Sequence, residues 1–280
     1  MTAPLKRVIM KRPEEAYVEL SNWKDLGFLA LPDYQRAIEE QEQFVKILEQ
    51  EGVVVLFLPE DDRTTADSIY THDPVLVTDS GAVLLKPGKP VRRGEVAAMA
   101  DALRAWHIPV FGVLHGDATA EGGDLLWLDE KTLVAGRSFR TNEAGVRQLA
   151  RMLKPTGIQV IEAHLPCGNG SDDVLHLMSV ISLIDQDLAV IYPKLLPVPL
   201  FELLQQRGIS TIPVPDEEYP TLGCNVLAIA PRSVILFSGN PVTRRLLQEA
   251  GCRVTEIRGE EIGRKGNGGP TCLTRPLLRG

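Results

Sequence analysis

The chain has 280 residues, 44% of them hydrophobic, so it can bury a sizeable core in one large domain or two small ones. Its formal net charge of −7 argues against nucleic-acid binding, which requires a basic patch, and fits a small cationic ligand. No apolar stretch is long enough to cross a membrane, and the first residues lack the apolar segment of a secretory signal. We therefore expect a cytoplasmic protein without a nucleic-acid or membrane partner.

The four cysteines give no sign of a metal site or a disulfide framework. Cys167, Cys224, Cys252 and Cys272 contain no C-x-x-C pair, and their spacing to the five histidines is not that of metal ligands. We therefore expect a reducing compartment and neither a metal nor another cofactor.

A hairpin pattern recurs along the chain. A polar residue is followed by an apolar strand, a short polar turn and a second apolar strand, which is typical of a β-hairpin. Three such segments end near glycine and begin at Asp73, Asp124 and Asn225, and a fourth begins at His176.

Each predicted hairpin is followed by a stretch with apolar residues at three- and four-residue spacing, which predicts a helix. The predicted helices are Tyr34–Gln50, Val96–Trp106, Val146–Lys154, Leu200–Arg207 and Val242–Ala250. A further apolar strand follows each helix, usually after a glycine that suits a helix C-terminus. These strands begin at Gly52, His107, Gly157, Gly208 and Gly251. The repeating unit is therefore strand, strand, helix, strand.

The residues that open the hairpins are evenly spaced. Asp73, Asp124, His176, Asn225 and Cys272 follow one another at intervals of 51, 52, 49 and 47 residues. Five such units account for the chain if an N-terminal strand at residues 5–10 completes the fifth, pairing the two termini and removing sheet edges. We predict one domain over residues 1–280, in which these five side chains converge near an axis of pseudo-five-fold symmetry.

Cys272 lies in an unusual position, after a glycine-rich turn and before a short apolar run. Glycines let a ligand approach closely, so the thiol is a candidate nucleophile. A buried structural cysteine is the alternative, because free cysteine is among the most buried residue types. We expect the turn at 266–269 to be flexible and to let the thiol reach a substrate.

Four ordered motifs resemble those of the guanidine-modifying enzyme superfamily. They are Glu121-Gly-Gly-Asp124, Gly136-Arg-Ser-Phe-Arg140-Thr-Asn142, Leu175-His176-Leu177 and Gly268-Gly-Pro-Thr-Cys272-Leu-Thr. That group includes dimethylarginine dimethylaminohydrolases, arginine deiminases and amidinotransferases. The resemblance covers about residues 67 to 277 and implies an α/β fold, the five-bladed α/β propeller, which agrees with the repeat.

The resemblance implies a role for each motif residue. Cys272 would attack a guanidinium carbon and form a covalent thiouronium intermediate. His176 would act as general acid and then general base, and Glu121 would orient and polarise it. Asp73 would hold guanidinium nitrogens. Asp124 would do so too, but an acid after two glycines equally suits a turn, so its role stays open.

Two further stretches resemble motifs of the dimethylarginine hydrolases in particular. They are Ala66-Asp67-Ser-Ile-Tyr-Thr-His-Asp73 and Pro87-Gly-Lys-Pro-Val-Arg92-Arg93-Gly-Glu95. By that similarity Arg92 and Arg140 would hold the α-carboxylate of a guanidino amino acid, and Asp67 would lie by its α-amino group. A guanidinium suits a planar carboxylate because it can donate two parallel hydrogen bonds.

The motifs leave the substrate open. Arginine deiminases usually have His-Leu-Asp where this chain has Met178, and loss of that carboxylate favours an N-methylated arginine, hydrolysed to citrulline and a methylamine. His72 stands where dimethylarginine hydrolases often have Glu and is closer to the deiminases, so arginine deimination is the alternative. An amidinotransferase is a more distant one, and a non-catalytic propeller that only binds a partner is a rival of another class. A homodimer is also left open.

Overall fold

The computed structural model describes residues 2–171 and 174–280. The strands are β1 (Leu5–Lys11), β2 (Val54–Leu58), β3 (Val75–Thr78), β4 (Gly81–Leu84), β5 (Val110–Val113), β6 (Leu125–Asp129), β7 (Thr132–Arg137), β8 (Gln159–His164), β9 (Ile181–Asp185), β10 (Leu188–Ile191), β11 (Ser210–Pro213), β12 (Leu227–Ala230), β13 (Ser233–Phe237), β14 (Arg253–Ile257) and β15 (Arg275–Arg279). The α-helices are α1 (Pro13–Ala16), α2 (Tyr34–Gln50), α3 (Gly94–Ala105), α4 (Glu143–Leu153), α5 (Val198–Gln206) and α6 (Pro241–Glu249).

The described strands form five sheets of three strands, and each sheet is one predicted unit. In the unit that begins after Asp73, β4 pairs antiparallel with β3 and parallel with β5, and α3 connects β4 to β5. The other units repeat this order. The predicted unit of strand, strand, helix and strand is confirmed, and α2 has the predicted bounds. The short α1 was not predicted.

The fifth sheet joins the two ends of the chain. Its central strand, β1, pairs antiparallel with β15 and parallel with β2. The register places Ile9 opposite Arg275, three residues after Cys272. The predicted pairing of the terminal strands is therefore confirmed, and the α/β fold of five three-stranded sheets agrees with the predicted five-bladed repeat.

After each of the helices α2 to α6, the chain reverses direction at a residue with a left-handed backbone conformation. Gly52, Gly157, Gly208 and Gly251 have φ values of 76°, 78°, 70° and 81°, which glycine adopts without steric cost. In the unit without a glycine, His107 takes the same place with a φ of 56°. The repeat therefore extends to backbone conformation.

The core lies between the sheets and their helices. The central strands are the most buried, and all four residues of β10 are buried. Helix α2 turns Phe44 and Leu48 inward, and neither is exposed to solvent. None of the helices in the described ranges is long and apolar enough to cross a membrane.

Phe44→Ala is expected to lower the free energy of unfolding by about 3–5 kcal/mol, because it leaves a cavity under α2. Tyr34→Ala is the matched control on the same helix, since Tyr34 is 44% exposed, and should change it by less than about 0.5 kcal/mol. Urea denaturation of both variants measures the difference. Equal destabilisation would contradict this account of the core.

Candidate active site

One cavity, with a volume of about 470 Å³, collects most of the predicted site residues. The predicted residues in its wall are Cys272, His176, Glu121, Asp73, Asp67, Arg92 and Arg140. They come from the segments that precede β3, β6, β9 and β15 and from two connecting loops, and three of the five residues expected to converge, Asp73, His176 and Cys272, line this cavity. Asp124 is not among the described residues of this wall.

His176 and Glu121 form a buried pair. The Nε2 atom of His176 lies 2.7 Å from Glu121 Oε2, and Glu121 has no exposed surface. Burial works against a charged imidazole, but the carboxylates of Asp124, Asp73 and Glu121 outweigh it and raise the pKa of His176 to about 9. His176 is therefore protonated near neutral pH and can act as a general acid.

The glycines after Glu121 make room for this arrangement. A Cβ atom on Gly123 would lie 2.4 Å from Nδ1 of His176, and one on Gly122 would lie 2.1 Å from the carbonyl oxygen of His72. The N–H of Gly123 also donates to Asp73 Oδ1 at 2.8 Å. The two glycines are therefore required by the close approach of neighbouring units.

Asp73 is kept ionised although it is buried. Arg92 Nη1 donates to its Oδ2 at 2.5 Å. Burial would favour the neutral acid, but Arg92 and His176 hold the pKa of Asp73 well below its ordinary value. A carboxylate oxygen can accept two hydrogen bonds, so both oxygens can still accept from a guanidinium.

Arg92 has more partners than the sequence indicated. Its Nε and Nη2 atoms donate to Glu95 at 2.9 and 2.8 Å, and Nη2 also reaches the carbonyl oxygens of Asp67 and Tyr70. These bonds favour a role that differs from the predicted one. Arg92 positions Asp73, and a substrate carboxylate would have to compete with Glu95 for its guanidinium.

Cys272 lies beside Asn225. Asn225 Nδ2 is 3.3 Å from the Cys272 Sγ atom, and its Oδ1 accepts from the N–H of Thr271 at 3.0 Å. Burial, together with the negative charge of Asp73, raises the pKa of the Cys272 thiol to about 11. The Cys272 thiol is therefore neutral near neutral pH. Asn225, whose role the sequence left open, both holds the turn and contacts the sulfur.

The glycine-rich turn before Cys272 is closely packed, and the expectation of flexibility is not supported. A Cβ atom on Gly268 would lie 2.2 Å from Cε1 of Tyr70, and one on Gly269 would lie 2.4 Å from the side-chain amide of Asn225. The glycines are needed because two side chains pack directly against the backbone. The turn therefore fixes the thiol in place.

The Asp124 carboxylate accepts hydrogen bonds from a backbone N–H and from a hydroxyl group. Its Oδ1 accepts from the N–H of Leu177 at 2.9 Å and its Oδ2 from the Ser138 hydroxyl at 2.6 Å, and it has no exposed surface. Burial raises its pKa to about 6. Of the two roles left open by the sequence, these contacts favour the structural one, in which Asp124 positions the segment that carries His176.

The wall of the cavity also contains an ion pair that the sequence did not predict. Lys89 Nζ lies 2.5 Å from Asp67 Oδ2 and 2.5 Å from the carbonyl oxygen of Leu26. Arg140 lies nearby, with Nη1 3.5 Å from Glu121 Oε1. Lys89 belongs to the stretch that resembles a known motif, but a lysine between turn residues gives no further signal in a sequence.

A second cavity of about 290 Å³ adjoins the first, and both are lined by His176 and Cys272. The side chains that distinguish the second cavity combine four apolar or aromatic residues, Met178, Leu222, Pro220 and Tyr219, with polar ones, His72, Asn169, Ser179, Asn225 and Thr271. The first cavity is thus lined by charged residues, whereas the second has no carboxylate, lysine or arginine among its described lining residues.

A third cavity, of about 590 Å³, is lined by His72 and Arg275 but by none of the predicted catalytic residues. His72 Nδ1 lies 2.8 Å from the Thr274 carbonyl oxygen, and its Nε2 is 2.6 Å from Arg275 Nη2. Burial and the positive charge of Arg275 lower the pKa of His72 to about 3. His72 is therefore neutral and supports the turn around Cys272.

Asp73, Glu121 and His176 present ligand atoms within 4.8 Å of one another and form the one group of this kind in the described part of the chain. Each already has a partner, since Asp73 is paired with Arg92 and Glu121 with His176. A metal ion would have to displace these bonds. Their chemistry fits a bound organic cation and proton transfer.

The family follows from comparison with known proteins. A family model described as "N,N dimethylarginine dimethylhydrolase, eukaryotic" matches residues 31–279. The chain belongs to this dimethylarginine hydrolase family. It is an enzyme that hydrolyses amidines, as the sequence predicted.

Individual relatives agree with this assignment. The N(G),N(G)-dimethylarginine dimethylaminohydrolase of Pseudomonas aeruginosa is 28% identical over 96% of this chain and 98% of its own length. A structure of that enzyme from Pseudomonas aeruginosa, a mutant complexed with citrulline, has a TM-score of 0.79 at 26% identity and covers 99% of this chain and all of its own. The arginine deiminase of Listeria innocua is 26% identical over 94% of this chain and 77% of its own length.

The alkylation rate of Cys272 by neutral iodoacetamide is expected to rise with pH towards about 11, because only the thiolate reacts. A cationic haloacetamidine should react relatively faster near neutral pH, since its charge stabilises the thiolate. Mass spectrometry in a Cys167→Ser background, which removes the exposed thiol, measures both rates. A rate that is independent of pH above 7 would contradict the raised pKa.

Glu121→Gln is expected to lower the pKa of His176 from about 9, because one of the carboxylates that stabilise the imidazolium is lost. NMR titration of the histidine ring measures the shift. Glu162→Gln is the matched control, since it also removes a carboxylate next to a histidine Nε2 atom, 3.0 Å away, but that histidine, His164, is exposed. An unchanged pKa of His176 in Glu121→Gln would contradict the role given to this pair.

Proposed function

We propose that this dimethylarginine hydrolase family member hydrolyses N-ω-methylated arginine to citrulline and a methylamine through a cysteine-bound intermediate. The observation that carries the proposal is the pair of cavities that share Cys272 and His176 in their walls. The charged one suits the guanidinium and the amino-acid tail, and the second, whose described lining has Met178 and no carboxylate, suits a methylated nitrogen.

Substrate binding would generate the nucleophile. A guanidinium is a delocalised cation with a poorly electrophilic carbon, so it needs a thiolate and a fixed orientation. Asp73 would accept hydrogen bonds from its nitrogens and hold it against the sulfur. The bound cation would then neutralise Asp73 and lower the pKa of Cys272 from its resting value of about 11.

In the first half-reaction the Cys272 sulfur forms a bond to the guanidinium carbon. His176 donates its proton to the methylated nitrogen, and the bond from carbon to that nitrogen breaks. The methylamine leaves through the second cavity and a thiouronium remains on Cys272. Glu121, hydrogen-bonded to the imidazole, keeps it oriented towards the leaving group.

In the second half-reaction a water molecule replaces the amine. Neutral His176 takes a proton from this water, whose oxygen bonds to the thiouronium carbon. The bond between carbon and sulfur then breaks and the remaining hydroxyl proton passes to solvent, which releases citrulline and restores the thiolate. One residue thus acts as acid and then as base, and such help typically contributes about 10²–10⁴-fold to the rate.

The tail of the substrate would lie along the charged wall of the first cavity. Arg140 and Lys89 provide positive charge for the carboxylate there. We propose Arg140 as the principal contact because Arg92 is committed to Asp73 and Glu95. The single domain over residues 1–280, the cytoplasmic location and a homodimer stay predictions from the sequence.

Arginine deimination is the second candidate, because arginine deiminases are among the relatives of this chain. The two reactions use the same nucleophile and differ in the leaving group, ammonia or a methylamine. The second cavity favours the methylamine, since its described lining includes Met178 and no carboxylate that could hold an unsubstituted nitrogen.

Citrulline release from dimethylarginine, monomethylarginine and arginine tests the proposal. We expect a preference for a methylated substrate and, in Cys272→Ser, a loss of about 10³-fold or more, since the hydroxyl is a far weaker nucleophile. Cys167→Ser is the matched control and should retain full activity, because Cys167 is an exposed cysteine outside the described site. Turnover of Cys272→Ser near the wild-type rate would contradict the mechanism, and a clear preference for arginine would favour deimination.

A further inference from the structure

Lys89 supplies an ammonium group at one end of the charged cavity. Its Nζ atom lies 2.5 Å from a carboxylate oxygen of Asp67 and 2.5 Å from the carbonyl oxygen of Leu26. A carboxylate and a carbonyl are the acceptors that any primary ammonium needs when it leaves water. The protein thus fills, with its own side chain, a site that is built for an ammonium.

This site has little capacity for a second ammonium. The Asp67 side chain is only 6% exposed and is already neutralised by Lys89, whose own side chain is 20% exposed. An incoming ammonium beside Lys89 would meet a like charge where water is partly excluded, and repulsion is stronger there than in bulk water. The incoming ammonium would lose its water of hydration and would gain only a carboxylate that is already paired with Lys89.

The charges in the wall of this cavity disfavour a further positive charge. The positive groups are Lys24, Lys89, Arg92, Arg140 and protonated His176, and the negative groups are Asp25, Asp67, Asp73 and Glu121, which leaves a net charge of +1. A guanidino acid with one carboxylate is neutral overall, whereas the corresponding amino acid has an additional ammonium and a net charge of +1. Lys89 can donate three hydrogen bonds and uses two among the described residues, so one N–H is available for a carboxylate.

We propose that the enzyme also hydrolyses N-methylated ω-guanidino acids that lack an α-amino group, and that Lys89 is the residue that determines this specificity. The proposal rests on the proposed function, since it uses the same attack by Cys272 and the same proton transfers by His176. Water is added across one carbon–nitrogen bond. The guanidinium cation and water give a neutral ω-ureido acid and methylammonium, so atoms and charge balance without another reactant.

The experiment compares monomethylarginine with its analogue that has hydrogen in place of the α-amino group, 5-(N′-methylguanidino)pentanoate. We expect the wild-type enzyme to use the analogue with a kcat/KM equal to or above that of the amino acid. In Lys89→Met, Asp67 loses its ammonium partner, and we expect the ratio to change by about tenfold or more in favour of the amino acid. The change should lie mainly in KM, because Lys89 contacts none of the reacting atoms.

Lys86→Met is the matched control. Lys86 belongs to the same connection after β4, but its Nζ donates to the carbonyl oxygen of Gly116 and it is not in the cavity wall. This variant should keep the wild-type ratio of the two substrates. Lys89→Gln serves as a second variant if Lys89→Met does not fold.

Protection of Cys272 against alkylation separates the two proposals. Both compounds are used as protecting ligands, so their binding is measured whether or not they are hydrolysed. The specificity proposal is supported if the analogue protects Cys272 at the same concentration as the amino acid or at a lower one. This holds even if turnover of both compounds is slow, a result that would count against the proposed reaction only. If the amino acid protects at least tenfold better, or if Lys89→Met leaves the ratio unchanged, the specificity proposal is overturned.

Discussion

The buried ion pair between Asp73 and Arg92 is the interaction on which the site depends. Placing a carboxylate inside a propeller is costly unless it is paired and hydrogen-bonded, and Arg92, itself held by Glu95, provides that pairing. The resulting negative charge has two opposite consequences. Together with burial it keeps the Cys272 thiol protonated in the free enzyme, and it helps to keep His176 protonated. In the proposed reaction a bound cation would cancel the first effect, so the charge that keeps the thiol protonated at rest would also attract the substrate.

Much of the fold could be predicted because each unit of the repeat has the same local sequence pattern. Hairpin, helix and glycine follow one another at intervals near fifty residues, and the equal spacing of Asp73, His176 and Cys272 predicted that they meet. Glu121 could be found only through its motif. The departures from prediction have a common cause. The bonds of Arg92 to Asp73 and Tyr70, the packing of Tyr70 under the glycine-rich turn and the ion pair of Lys89 all join segments that are distant in the chain, and no local pattern reports such contacts.

The glycines of the site illustrate why composition alone misleads. A turn such as residues 266–269 suggests mobility, because glycine has the widest range of backbone conformations. Here the absence of side chains lets Tyr70 and Asn225 pack against the backbone, and Gly123 lets the His176 ring approach. The same residue type therefore produces a rigid wall. A nucleophile that must meet a carbon atom within a narrow range of distances benefits from that rigidity.

The pairing of β1 with β15 also governs when the site can form during synthesis. Leu5 and Arg279 are partners in that sheet although nearly the whole chain separates them, and such distant contacts form late because closing a long loop costs entropy. Cys272 lies three residues before β15, so a growing chain would contain Asp73, Glu121 and His176 before Cys272 is added. The thiol is the last of these four groups to be synthesised, and the strand that follows it pairs with β1.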